Sequence, residues 1–277
     1  MPARLLGIAA LLLGLWTTGC STTRQPDLAS LYAPAAAEPK AHPLILIPGV
    51  MGSRLMRVDD GREVWPGPVA TYVFGGDLSA LALPLPGGPE PKGMRPAELR
   101  AGGIFHETLA QDFYGRLIQT LTRAGGYHCV PLDAVTASTD CVLFAWDWRK
   151  GMVAATAELD RLVERLRTLR RDPTLRVDIV AHSAGGLLTR YFVRFGGKDV
   201  LDQTDPTVTF AGGRKVRQAV LIGTPNYGSV TALQRAITGY PVGRARFEPE
   251  TIATMPGIFE LLPHPDRTWM LDIEGVL

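Results

Sequence analysis

Val177-Asp178-Ile179-Val180-Ala181-His182-Ser183-Ala184-Gly185-Gly186-Leu187-Leu188 is the stretch that decides the fold. It begins as an apolar run, passes through a turn of small residues around one serine, and continues into Ala184–Phe195, which reads as a helix. Strand, tight turn and helix in that order make a nucleophile elbow, with Ala181 where the first glycine of the pattern usually stands. The spacing has a physical cause. A serine forced into a strained turn projects its hydroxyl out of the sheet, and small residues two positions before and after it let strand and helix pass closely. Ala181 and Gly185 meet that demand. The helix starting directly after the serine presents free N–H groups and a positive end to any developing oxyanion. Ser183 is therefore the candidate nucleophile. His182 is adjacent to it in the turn, points elsewhere, and is expected to be structural rather than the base.

Outward from this segment, strands alternate with helices. Pro43–Ile47 is a buried strand stopped by Pro48-Gly49, and Cys141–Trp146, Leu175–Ala181 and Val216–Gly223 are further strands. Leu109, Phe113, Leu117 and Leu121 recur every four residues and predict a helix ending at Gly125-Gly126. Leu159, Leu162, Val163, Leu166 and Leu169 mark another, whose arginines read as a solvated face. The alternation predicts an α/β fold of the α/β-hydrolase type: a mostly parallel sheet with helices on both faces. Residues 58–104 are rich in Gly and Pro without a clean period and read as a lid-like insertion into the core at 42–277. The turn Pro48–Ser53 contains glycines that let backbone amides approach a substrate, which suits a second oxyanion donor.

With 277 residues and 46% hydrophobic content, the chain can bury one sizeable domain. The net charge, 29 − 27 = +2, argues against a nucleic-acid partner. Residues 1–20 read as an export signal: Arg4, then the apolar run Leu5–Trp16, too short to span a bilayer, closed by Thr17-Thr18-Gly19-Cys20. Gly19-Cys20 resembles a bacterial lipobox, apart from Thr17 where leucine is usual, so Cys20 is the expected lipidation site. With Ser21 rather than Asp after it, the outer membrane is the expected address. An ordinary secretory signal with a chance cysteine is the alternative. Residues 21–41 read as a tether, disordered in preference to helical. Cys129 and Cys141 either pair, in an oxidising compartment, or stand as separate buried thiols. No Cys/His cluster has metal-site spacing, so neither metal nor organic cofactor is implied.

The chain resembles the family of lecithin:cholesterol acyltransferase with its phospholipase and diacylglycerol-acyltransferase relatives. Four segments match in order: Leu44–Leu55 (LILIPGVMGSRL), Phe144–Arg149 (FAWDWR), Asp178–Gly186 (DIVAHSAGG) and Leu221–Ser229 (LIGTPNYGS). A fifth, Met255–Pro263 (MPGIFELLP), is similar to a stretch of that family's cap, and the resemblance covers residues 43–265. It implies Ser183 as nucleophile, the amide of Ala184 as one oxyanion donor, and that of Met51, or failing it Val50, as the other. It further implies a structural acid–base pair, Asp147 and Arg149, and a membrane-facing region after Gly52. There Trp65 and Leu81–Leu85 either contact lipid or form the insertion's own core.

The mechanism also needs a base and an acid to orient it, and in this fold both follow the serine. His264 is the only histidine after Ser183, and it falls beside the cap stretch, which makes it a cap residue rather than the base. Asp199, Asp205, Asp266 and Asp272 cannot be ranked as the acid. The expectation is that acid and histidine lie beyond residue 277, with residues 230–277 the start of a cap and the last core strands not included. The function expected is a serine acyl-ester hydrolase or O-acyltransferase working on phospholipid or neutral lipid at a membrane. The alternatives are a non-catalytic lipid-binding envelope lipoprotein on a hydrolase scaffold, or another lipase or esterase.

Overall fold

The apolar runs become five strands: β1 (Leu44–Ile47), β2 (Cys129–Pro131), β3 (Cys141–Leu143), β4 (Val177–His182) and β5 (Val216–Ile222). They form one sheet in the order β5-β4-β1-β3-β2, with every neighbouring pair parallel. This is a computed structural model, and it describes residues 26–85, 87, 96–108 and 111–266. The expected export signal with Cys20, as well as Leu109 and Asp272, lie outside the described residues.

All four residues of β1 are buried, and their alternation builds two cores. Ile45 and Ile47 face the larger one, with Leu159, Leu162, Val163 and Leu166 of helix α1 (Met152–Arg170) and Leu188 and Phe192 of helix α2 (Ala184–Phe195). Leu44 and Leu46 face the smaller one, with Tyr114, Leu117, Ile118 and Leu121. The sheet thus carries helices on both faces, as an α/β-hydrolase fold requires. Helix α2 has the predicted bounds, and α1 extends the predicted stripe by a turn or more at its N-terminal end.

Two segments differ from expectation. The helix predicted from Leu109 begins only at Gly115, because Gln111–Asp112 pairs antiparallel with Glu107–Thr108 and the amides of Phe113 to Gly115 turn to the His106 carbonyl; Phe113 tilts against Phe105, with ring centroids 4.6 Å apart. Its last turn, Thr120–Ala124, widens into a π-helix. The tether also has structure in its second half: Leu28–Leu31 and Ala33–Ala37 are short helical turns with no buried residue. They lie close to Gly126, where an added Cβ would stand 2.2 Å from the Ala36 carbonyl oxygen.

The insertion is a packed unit rather than an open lid. Ser53–Arg57 pairs antiparallel with Glu63–Trp65 and with Leu99–Ile104. Trp65 (5% exposed) packs edge-on against Tyr72 and Trp148 and tilts against Phe247, while Leu81 is fully buried. Of the two readings left open for Trp65 and Leu81, lipid contact or insertion core, the structure places both in the core. Among the described residues of the insertion, the large apolar side chains that do face outward are Val58, Leu85, and Val69, Val73 and Phe74 on the helix Val69–Phe74.

At one end of the sheet, β5 has no partner on its outer edge among the described residues, and Val220, Leu221 and Ile222 are 52%, 38% and 40% exposed. At the other end, β2 is fastened covalently. Cys129 and Cys141 face each other in the β2–β3 register and are joined by a disulfide. The three-residue edge strand contributes few ladder bonds of its own. The bridge closes a short loop and should contribute about 2–3 kcal/mol by limiting the unfolded chain. Reduction, or Cys129→Ser with Cys141→Ser, is expected to lower the urea midpoint accordingly. An unchanged midpoint after verified reduction would show that the strand holds by itself.

Candidate active site

Ser183 sits where β4 ends and α2 begins, with φ +52° and ψ −124°. A non-glycine residue held there stores on the order of 1–3 kcal/mol of strain and persists only if its surroundings over-determine it. They do. The Ser183 amide donates to the Ile222 carbonyl at the end of β5 (2.8 Å), and the Ser183 carbonyl accepts from the Gly186 amide (2.9 Å). Gly185 lies against the end of β1: a Cβ there would stand 2.7 Å from the carbonyl oxygens of both Ile47 and Pro48. Ala181, two positions before the serine, is fully buried. The small-residue spacing read from the sequence is thus a spatial necessity. The Ser183 hydroxyl is partly exposed and makes no hydrogen bond among the described residues.

The turn after β1 lies directly beside it. An added Cβ at Gly49 would stand 2.8 Å from the Ser183 Cβ and 3.2 Å from its Oγ. Three tryptophans fasten this turn. Trp146 Nε1 donates to the Pro48 carbonyl (2.9 Å), Trp65 Nε1 to that of Met51 (2.9 Å), and Trp148 Nε1 to that of Ser53 (3.1 Å). The buried Ser53 hydroxyl accepts from the Trp146 amide. Amides within the turn are also committed: Gly52 donates to the Gly49 carbonyl, and Gly49 to the Tyr114 hydroxyl (2.8 Å). Among the described residues this leaves the amides of Val50 and Met51, in the turn beside Ser183, and that of Ala184, at the first position of α2, without a partner. Met51 adopts φ +63°, a left-handed turn conformation.

The remaining matched segments converge on the same end of the sheet. Asp147 and Arg149 form a bidentate pair (2.9 and 2.8 Å), and Arg149, 1% exposed, also donates to the Leu81 carbonyl, which ties the insertion down. The stretch Met255–Pro263 is clamped between two loops. The Gly257 amide donates to the Arg149 carbonyl and the Ser229 amide to that of Leu261. Glu260 accepts from the Met152 amide (2.7 Å), capping α1 from a distant segment, and burial pushes its carboxyl above the ordinary range.

His182 turns away from the serine. Its Nδ1 meets the Tyr114 hydroxyl at 2.8 Å, and burial lowers its pKa below the usual histidine value. Burial likewise pushes Tyr114 up to about 12. His264 is half-exposed, with Nδ1 3.4 Å from the Asp266 carboxylate and its amide on the Tyr227 carbonyl. Asp199 and Asp205 lie on the exposed loop after α2. Nothing local in the sequence marks Tyr114 or Glu260, and Trp65, Trp146 and Trp148 stand in segments singled out there without any sign that their indoles fasten this turn. A tyrosine just before a helix carries no motif, and an indole that fastens a turn looks like any core tryptophan.

The family model for lecithin:cholesterol acyltransferase matches residues 127–273, just over half of the chain. No curated protein matches. Among solved structures, a chain in the crystal structure of the Tle4-Tli4 complex is similar, with a TM-score of 0.47 and 16% identity. The similarity covers 85% of this chain and 59% of that one, so this chain spans less than two thirds of that relative.

Trp146→Phe keeps a six-membered aromatic ring but loses the pyrrole N–H and its volume, so it leaves the Pro48 carbonyl buried without its donor and opens a small cavity beside it. The unpaired carbonyl alone is expected to cost about 1–3 kcal/mol in urea unfolding, and the cavity adds to it. A variant as stable as the parent would mean that the turn does not depend on the indole.

Proposed function

The chain belongs to the lecithin:cholesterol acyltransferase family, and on that premise we propose that it is a serine-dependent acyl-ester hydrolase or O-acyltransferase acting on phospholipid or neutral lipid. The observation that carries the reading is the partly exposed serine on a strained turn, next to amides that have no partner among the described residues. Ser183 Oγ attacks the ester carbonyl carbon as its proton passes to a base. The oxyanion is held by the amides of Ala184 and Met51, with Val50 as the alternative second donor. Collapse expels the alcohol, which takes the proton, and leaves an acyl-enzyme. Water or a second alcohol then receives the acyl group, and the same chemistry serves hydrolase and transferase.

The base and its orienting acid are assigned to none of the described residues. The ring of His182 is engaged by Tyr114, and that of His264 faces Asp266. The open apolar edge of β5 supports placing them on strands that pair with it. The same observation, a serine with no bonded base among the described residues, favours the second reading, a lipid-binding envelope protein on a hydrolase scaffold.

A fluorophosphonate separates the two, because only an activated serine reacts quickly. Labelling of the parent, its loss in Ser183→Ala, and a fall of several orders of magnitude in fatty-acid release from labelled phospholipid are expected. Repeating the release assay with and without a sterol acceptor distinguishes hydrolase from transferase. A parent protein that neither labels nor turns over would leave the binding reading.

The proposed setting is the cell envelope, with Cys20 lipidated and the protein held at the outer membrane. The Cys129–Cys141 disulfide supports an oxidising compartment. Among the described residues no helix is long and apolar enough to cross a membrane. The outward face Val69, Val73 and Phe74 is the proposed contact with lipid, and Phe74 is 80% exposed. Inserting one phenylalanine contributes about 1.5–3 kcal/mol. Phe74→Asp is therefore expected to weaken partition of the unlipidated protein onto phospholipid vesicles at least tenfold, with no change in melting temperature. Equal partition would move the membrane face elsewhere.

A further inference from the structure

Tyr114 stands behind the site and touches both of its halves. Its hydroxyl accepts the Gly49 amide (2.8 Å) and lies 2.8 Å from His182 Nδ1, while its ring packs edge-on against the imidazole. Its Cε2 fills the space beside Gly52, where any Cβ would stand 2.9 Å away. The residue is 5% exposed, and its own backbone is fixed because the His106 carbonyl accepts from the amides of Phe113, Tyr114 and Gly115. The Phe105 amide in turn donates to the Gly52 carbonyl.

The direction of the bridge follows from counting protons. A tyrosine hydroxyl has one proton to donate and lone pairs to accept with. Gly49 N–H can only donate. Among the described residues the one acceptor within reach of the buried Tyr114 proton is therefore His182 Nδ1. Leaving that proton without a partner would cost about 1–3 kcal/mol. It follows that His182 is neutral, carries its proton on Nε2 and accepts at Nδ1. The chain Gly49 N–H to Tyr114 O–H to His182 Nδ1 thus links the turn holding the unpartnered amides to the residue preceding Ser183.

We propose that Tyr114 is a positioning residue, which sets the distance between the Pro48–Ser53 turn and Ser183 by bridging Gly49 to His182. The proposal rests on Ser183 being the nucleophile. Tyr114 touches no reacting atom. It consumes the Gly49 amide, which removes that group from the oxyanion donors, and holds the next two amides in register with the serine. A displacement of the turn by a fraction of an ångström would misplace both donors at once, and misplacements of about 1 Å can cost roughly a hundredfold in rate.

The test compares the full chain with Tyr114→Phe, which keeps the ring and removes only the hydroxyl. Tyr72→Phe serves as control, since Tyr72 is buried with no partner for its hydroxyl. Nitrogen-15 spectra of labelled histidine are expected to show His182 of the parent unprotonated at Nδ1 and protonated at Nε2. Tyr114→Phe should shift that tautomer balance and speed hydrogen exchange of the Gly49 amide. The maximal rate of fluorophosphonate labelling should fall about tenfold or more with the half-saturating concentration unchanged, and Tyr72→Phe should match the parent in all three. A protonated Nδ1 in the parent, or Tyr114→Phe labelling at the parent's rate, overturns the proposal. If the parent does not label at all, the catalytic reading fails on its own, and unchanged tautomer and Gly49 exchange in Tyr114→Phe then sink the bridge independently.

Discussion

Helix α2 crosses the end of β1 so closely that only hydrogen fits at Gly185, and the site is built from that crossing. It sets the first turn of the helix against the Ile47 and Pro48 carbonyls, leaving the serine just before it no relaxed conformation. The strain at Ser183 is of order 1–3 kcal/mol, more than one hydrogen bond typically returns. The Ser183–Ile222 bond therefore cannot hold the turn alone. Packing does the rest: Ala181, Ala184 and Leu188 are fully buried around it. Function at this point is a by-product of sheet–helix packing, because the same geometry that stores strain pushes the hydroxyl out of the sheet.

The turn after β1 obeys a complementary rule. A backbone segment in a partly buried place must have its carbonyls satisfied, and three indoles and the Gly52 amide satisfy those of Pro48, Met51, Ser53 and Gly49. Once carbonyls are matched by donors from outside, amides are left over. Among the described residues the amides of Val50 and Met51 remain, in the turn whose Gly49 lies beside Ser183, and so does the first amide of α2. A concentration of unpaired N–H groups is what an oxyanion would require. It arises from supplying tryptophan donors to a short loop rather than from any charged side chain.

This explains what could be read in advance. The strands, α2 and the serine turn were legible because each is a local pattern: an apolar run, a spacing of small residues, a stop at Pro-Gly. The matched segments around Gly49, Asp147, Ser183 and Gly257 are tied to one another in space by hydrogen bonds and close backbone contacts. What stayed hidden is non-local. Whether Cys129 and Cys141 meet depends on two strands pairing in register, and either outcome fitted the sequence. Trp65 and Leu81 read equally well as lipid anchors or core, and only the aromatic cluster with Trp148 and Phe247 decides for core. Phe113 kept the helical period yet lies outside the helix, because a hairpin pairs Gln111–Asp112 with Glu107–Thr108 and sends the Phe113 amide to the His106 carbonyl. Tyr114 had no signature because its role lies in two partners 65 and 68 residues away.

The support of the elbow is asymmetric, and this links it to the open side of the sheet. On one side of β4 lies β1, fully buried; on the other lies β5, whose last residues are exposed on both faces. Ile222, which accepts the Ser183 amide, is itself 40% exposed and ends that outer strand. Local opening is easiest where few apolar contacts cover the backbone, so the hydrogen bond most directly holding the strained serine belongs to the least protected strand. Any structure that covers β5 would therefore act twice. It would bury Val220, Leu221 and Ile222, and it would stiffen the carbonyl on which the Ser183 turn leans. The geometry of the Ser183 turn and the covering of the sheet edge are in this way linked through one hydrogen bond.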